Sequence, residues 1–238
     1  MISRTPNLQF ASLVHEDSGY PVGEIYPPVD FSLWSKLEFL EITRAYALNL
    51  LSLPRTLKYL DITENHLPLF SLEAEGVAQI DLPLLETFMC EYTDLSLEVI
   101  LAIIGPSLKA GNLKKLHIGD YFPDDSPGNL YIPTYEMPSL QELSLYRCRM
   151  REDDIMRFLR LCPNVRYLDL SLTRVTGVAI KEVMARESSP LKWLGVNHCT
   201  YLSSDAVEWA RSLGTVVEYN NSSVKRIARQ RFWRDRWI

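Results

Sequence analysis

Glycine is scarce in this chain, at 10 of 238 residues. Loops that wrap a phosphate need glycine, because a residue without Cβ lets the backbone approach the ligand closely. So few glycines argue against a glycine-rich phosphate-binding enzyme, and no P-loop pattern occurs. Cysteine is sparse too: Cys90, Cys148, Cys162 and Cys199. None forms a C-x-x-C pair, which excludes the zinc and thioredoxin-like patterns built on that spacing. No run approaches the roughly eighteen apolar residues that a membrane-spanning helix requires, so no membrane partner is expected. Met1–Pro6 lacks the apolar stretch of a secretory signal, so the expected compartment is intracellular with reduced thiols. The N-x-S patterns at Asn220 and Asn221 then read as accidental. His15, His66, His117 and His198 fall in different parts of the chain with no metal spacing, and neither G-x-S-x-G nor H-E-x-x-H is found. The expectation is a non-enzyme with no metal and no cofactor.

Apolar residues make up 47% of the chain and charged residues 23%, enough to bury a core and to exclude disorder as the main state. The net charge of −5 hides an asymmetry. Residues 224–238 hold Lys225, Arg226, Arg229, Arg231, Arg234 and Arg236 against Asp235 alone. The rest of the chain therefore carries nineteen cations against twenty-nine acids. The tail also contains Ile227, Phe232, Trp233, Trp237 and Ile238, and residues 221–238 are expected to cap the end of the fold with these apolar groups.

One pattern recurs: apolar, two variable, apolar, one variable, apolar. It starts at Leu8, Leu37, Leu57, Leu85, Leu113, Leu140, Val165 and Leu191. The intervals are 29, 20, 28, 28, 27, 25 and 26 residues, mostly within the leucine-rich-repeat range of about 20–29. A degenerate ninth match lies at Val216–Tyr219. The last two apolar positions of each unit, such as Leu60 and Ile62, are two apart and share one face of a short strand. One unit cannot bury that face; a stack of units makes a continuous core. The predicted fold is α/β, a leucine-rich-repeat solenoid of about eight repeats over residues 1–220. It is a right-handed curved horseshoe with a parallel sheet on the concave face and helices and loops on the convex face. Pro6, Pro83, Pro138, Pro163 and Pro190 precede the units and mark helix-to-strand corners.

Convex helices are predicted over 96–104, stopped by Gly105, and over 153–161, 178–184 and 204–213, the last capped by Ser204 and closed by Gly214. The 20-residue unit after Leu37 is expected to cross without a full helix. Cys148 and Cys199 stand three residues past the last strand apolar residue, where Asn or Cys side chains satisfy neighbouring backbone groups. Cys90 fills an inward slot and Cys162 ends a helix. All four are read as structural.

Residues alternating with the inward pair face the concave surface. They include Phe10, Phe39, Tyr59, Tyr167 and Trp193 in one column, then Glu41, Asp61, Met89, His117 and Asp169 in the next. Glu91, Tyr146 and Asn197 lie beyond these, with Arg44, Glu64, Tyr92, Asp120, Arg147 and His198 near the strand ends. Aromatics on a rigid sheet are hot-spot residue types. Acids among them (Asp61, Glu91 and Asp169) are expected to speed the approach of a basic protein segment. Inserts at 15–31 and 119–136 read as binding loops. The competing reading is a nucleic-acid contact through the basic tail, with Phe232, Trp233 and Trp237 stacking on bases. A small-ligand receptor ranks last, for want of a basic pocket.

Two stretches resemble a known family. Leu161–Lys181, reading LCPNVRYLDLSLTRVTGVAIK, and Leu191–Ala210, reading LKWLGVNHCTYLSSDAVEWA, resemble the cysteine-containing leucine-rich repeats of F-box proteins. The final unit is similar to the end of fungal F-box proteins that also carry tetratricopeptide repeats. The resemblance covers about residues 137–220. It implies the substrate-binding domain of a receptor for Skp1–cullin–F-box ubiquitin ligases, with a protein substrate or complex as partner. One branch of that family works at the replisome, so replisome components and a nuclear location are the implied setting. The seven residues before Leu8 cannot hold an F-box, and no tetratricopeptide-type helical repeat of about 34 residues is visible. Binding to Skp1 would need an F-box absent from this chain.

Overall fold

The computed structural model describes residues 7–14, 30–43, 52–65, 80–93, 95–120, 135–186 and 190–220. The alternating apolar positions make nine strands: β1 (Phe10–Val14), β2 (Phe39–Thr43), β3 (Tyr59–Asp61), β4 (Thr87–Glu91), β5 (Lys115–Gly119), β6 (Glu142–Ser144), β7 (Tyr167–Asp169), β8 (Trp193–Gly195) and β9 (Val216–Glu218). They form one sheet in chain order. Every neighbouring pair is parallel. The degenerate ninth match is thus a real strand.

The register follows the repeat. Leu40 lies beside Leu60, Phe88 beside Leu116, and Leu143 beside Leu168 and then Leu194 along the sheet. Three inward columns result, and all belong to one buried core. The first column is fully covered from Leu37 to Leu140. Ala11 is less tightly enclosed than its counterparts and Leu13 is only half-buried, as expected of the outermost unit with a neighbour on one side only.

Several strands are shorter than the sequence pattern. β3, β6, β7 and β8 stop at the residue between the inward pair, yet the second inward residue stays in the core. Ile62, Leu145, Leu170 and Val196 each still donate a backbone hydrogen bond to the next unit at 2.8–2.9 Å. A corner follows two residues later. There Glu64, Tyr92, Asp120, Arg147, Leu172 and His198 all adopt left-handed backbone, with φ between 54° and 60°. Glycine usually takes this conformation; here six non-glycine residues do, at the same step of six units.

The residue after the corner secures it at Asn65, Cys148, Thr173 and Cys199. The buried Asn65 amide donates to Ile42 O at 2.6 Å and Ile62 O at 2.7 Å. Cys148 Sγ donates to Ile118 O at 3.4 Å and Cys199 Sγ to Leu170 O at 3.1 Å. Thr173 donates to Leu170 O at 2.5 Å. The acceptors in the preceding unit, Ile42, Ile118 and Leu170, are the same inward residue of the β2, β5 and β7 units. Carbonyls facing the core therefore find donors, the structural role expected of Cys148 and Cys199. At the opposite strand ends, turns close with Leu37 N to Trp34 O, Leu57 N to Pro54 O and Leu140 N to Met137 O.

Four helices occur among the described residues: α1 (Leu97–Lys109) after β4, α2 (Glu152–Arg160) after β6, α3 (Gly177–Met184) after β7 and α4 (Ser204–Ser212) after β8. The caps of α1 and α4 agree with the sequence to within a residue, Ser96 accepting from Val99 N and Ser203 from Ala206 N; α3 is capped by Thr176, which accepts from Val178 N. Gly105 does not stop α1. The helix continues through Gly105 and Pro106, because Ser107 and Leu108 are buried on its core side, and the chain leaves through Gly111 at φ 72°. Tertiary burial overrides the local Gly-Pro breaker. Phe31, read as the end of an insert loop, is fully buried and packs edge-on against Trp34 at 5.5 Å. The coarse architecture is α/β and solenoid-like. Among the described residues no helix is long and apolar enough to cross a membrane.

Candidate protein-recognition surface

Strand alternation sends Leu40 and Ile42 into the core and leaves Phe39, Glu41 and Thr43 on the other side of the sheet. Parallel register lines up the same positions of successive strands, so the outward aromatics meet. Phe10 and Phe39 stack at 4.3 Å with planes 15° apart, and Phe39 and Tyr59 at 4.0 Å and 7°. Phe10, at the outer strand, remains 57% exposed. The Tyr59 hydroxyl donates to Met89 Sδ at 3.3 Å, and Ser12 donates to Glu41 at 3.0 Å. Phe39, Glu41, Tyr59, Met89 and Glu91 are all partly accessible. The sequence pattern placed these residues in one surface, and the structure brings them together.

Further along, the same face closes. His117, read as a surface residue, is fully buried and its Nε2 lies 3.0 Å from Glu142 Oε1. Lys115 Nζ approaches the same carboxylate at 3.7 Å. Asp169, read as an exposed acid, is 1% exposed and accepts the Ser171 amide at 2.9 Å. Asp61 is buried as well and accepts the Thr63 amide at 2.9 Å. Its burial pushes the carboxyl above the usual aspartate range, and nearby Glu41 adds to the rise against the two Thr63 hydrogen bonds. Asp61 and Asp169 are therefore turn-forming groups of the strand ends, and Glu91 alone of the three expected steering acids keeps appreciable exposure. Reversing all three charges would damage the fold before it changed any association rate.

Trp193 shows how the floor is sealed. It is 4% exposed. Its indole lies against Gly195, where an added Cβ would come within 2.5 Å of the ring and 2.7 Å of Asp169 Oδ1. Its N–H donates to Glu218 at 3.2 Å. The glycine is thus required by close approach. Gly119 plays a similar part beneath Glu91, whose Cγ would sit 2.6 Å from a Cβ there. Tyr146, Tyr167 and Asn197 stay half-buried at the margins. Tyr92 faces Tyr146, and burial first, then that neighbour, pushes its hydroxyl up to about 12.

Phe10 belongs to the outward aromatic column, and the structure makes it the most exposed rung of the ladder. The His117–Glu142 contact was missed; the signal was the adjacency of the two columns once the register is known. The tail residues Lys225, Arg226, Arg229, Arg231, Arg234 and Arg236 lie outside the described residues, as do 15–29 and 121–134 of the inserts. Among the described residues no group of three or more His, Cys, Asp or Glu could hold a metal ion.

All four cysteines are free and buried. Burial raises the Cys90 thiol well above its ordinary value, lifts Cys162 to about 12 and raises Cys199 despite hydrogen bonds around Thr173. A water-soluble thiol reagent is expected to modify none of them in the native protein and all four after denaturation. Rapid modification of any one in native buffer would contradict their enclosure.

No protein-family model matches this sequence, and no curated protein matches it.

Proposed function

We propose that the protein is a leucine-rich-repeat recognition module that binds a protein partner on its concave face and performs no chemistry itself. The horseshoe form is supported by nine parallel strands in chain order, by the recurring left-handed corners, and by the Asn65, Cys148 and Cys199 side chains, which tie three of those corners to the unit before. The observation that carries the binding role is the Phe10–Phe39–Tyr59 stack, held at fixed spacing by the strand register and left partly open. A preorganised aromatic surface loses little side-chain entropy on binding. The finer reading is the substrate-binding domain of a receptor for Skp1–cullin–F-box ubiquitin ligases, acting in the nucleus on replisome components. It rests on the resemblance of residues 161–181 and 191–210 to F-box-protein repeats, and Skp1 itself would be met through an F-box outside this chain.

Affinity capture with the wild type and a Phe39→Ala variant side by side tests the binding role. A protein retained by the wild type and reduced at least about tenfold by the variant, as loss of a hot-spot aromatic predicts, supports it, given equal melting temperatures. Equal recovery by both overturns it. The finer reading requires that the captured protein be ubiquitinated in reconstituted extract when an F-box is fused to this chain.

A further inference from the structure

The two edges of the sheet are built differently. β9 is three residues long, and the Arg211 guanidinium donates to Val217 O at 3.1 Å, the carbonyl that points away from β8. Short strands and edge cations are devices that keep a sheet edge from pairing. β1 has neither. It runs for five residues, Phe-Ala-Ser-Leu-Val, and residues 7–14 carry no charge and no proline. Among the described residues its one sheet neighbour is β2. Gln9 O accepts from Phe39 N, so the odd-numbered residues of this stretch turn their backbone groups to β2. Those of Phe10, Ser12 and Val14 point to the outer edge. Side chains on this flank are also incompletely covered. Phe10 is 57% exposed, and Leu13 is half-buried where its counterpart Ile42 is enclosed.

We infer that β1 pairs antiparallel with β1 of a second copy of this chain, about a two-fold axis at Ser12. Charge selects this occupant. The chain carries a net −5, so two copies approach with least repulsion where neither presents a charge, and residues 7–14 are such a stretch. The edge groups fix the register. An antiparallel pair that uses the backbone groups of Phe10, Ser12 and Val14 in both copies sets Ser12 opposite itself and Phe10 opposite Val14. Ala11 then lies opposite Leu13 on the inward face, a small residue against a large one on both sides of the axis. Glu41 and its copy stand three strand spacings apart, about 14 Å, beyond the screening length of about 8 Å at physiological salt. An isologous contact of this kind closes on itself. With the β9 edges occupied by Arg211, assembly stops at two chains whose sheets have become one. The pairing does not depend on the recognition role proposed above.

Sedimentation velocity of the full chain tests this over ~1 to ~100 μM, the range suited to a small contact confined to one strand pair. A monomer–dimer equilibrium is expected within that range. Ser12→Lys should weaken association at least about tenfold, because like charges directly opposite one another repel. Its melting temperature should match the wild type, because Ser12 is exposed. Ser12→Cys should give a disulfide-linked dimer on mild oxidation, since a hydrogen-bonded pair holds its Cα atoms about 5.5 Å apart, within disulfide reach. Phe10→Cys should give none, because position 10 meets position 14 of the copy. The four native cysteines are buried and do not interfere. A chain that stays monomeric at the highest concentration overturns the proposal. Slow hydrogen exchange at Phe10 and Ser12 would then mean that another segment of this chain covers β1, and fast exchange that the edge is left to a different protein. A dimer that Ser12→Lys leaves intact lies on another surface and overturns the placement. Equal cross-linking by Ser12→Cys and Phe10→Cys overturns the register. If Ser12→Lys does not fold, Ser12→Cys decides.

Discussion

Leu168→Ala is expected to destabilise the protein by about 2–5 kcal/mol, the cost of a buried Leu truncation that leaves a cavity. Leu168 is fully buried and lies in register between Leu143 of β6 and Leu194 of β8. The cavity has little means of collapsing. Arg166 N and Tyr167 N donate to Gln141 O on one side, and Lys192 N and Trp193 N donate to Arg166 O on the other. These bonds hold the strands apart at sheet spacing, so neighbouring side chains cannot slide inward. The same argument applies to Leu143→Ala, one strand away and equally enclosed. Urea denaturation followed by circular dichroism measures the effect. A midpoint unchanged in either variant would show that the inward column has been assigned to the wrong residues. Ser144, the outward neighbour of Leu143, is buried on the opposite face of the sheet, so the two positions test different surfaces.

Asn65→Ala is expected to cost about 2–4 kcal/mol, although it removes only a few polar atoms. The side chain is fully buried and its amide donates to the carbonyls of Ile42 and Ile62 at 2.6 and 2.7 Å. Alanine leaves both acceptors facing the core, and an unsatisfied buried group costs about 1–3 kcal/mol. Cys148→Ala is the informative comparison. Cys148 stands at the equivalent corner and reaches Ile118 O at 3.4 Å, but a thiol is a weak donor. Its loss should cost less than half as much by thermal or urea unfolding. If the two substitutions prove equal, the corners are held by packing and the hydrogen-bond account is wrong.

Much of this fold was legible in the chain because its period is short and its physics local. The eight pattern matches located β1–β8, and a weaker ninth located β9, because inward apolar side chains two residues apart admit one strand orientation. The caps of α1 and α4 could be read to within a residue from Ser placement for the same reason. The end of α1 could not, since the burial of Ser107 and Leu108 depends on what packs over them. The corners were also hidden. A search for glycine misses Glu64, Tyr92, Asp120, Arg147, Leu172 and His198, whose left-handed backbone is imposed by hydrogen bonds to the following unit, such as Glu64 N to Glu91 O and Arg147 N to Ser171 O.

The recognition surface divides in the same way. By itself the sequence determined which residues face away from the core, because alternation along a strand is a property of the chain. Only the tertiary structure decided which of them meet solvent. Phe39, Asp61 and Trp193 occupy comparable outward positions in the repeat. Yet Phe39 forms the middle of a part-open stack, Asp61 is turned onto its own backbone, and Trp193 lies over Gly195 with its N–H on Glu218. Phe39 is stacked by residues 29 and 20 positions away in other units and Trp193 is held by Glu218 25 positions on, whereas Asp61 is held by Thr63 of its own turn. A pattern that describes one unit at a time contains no information about what the adjacent unit places beside it.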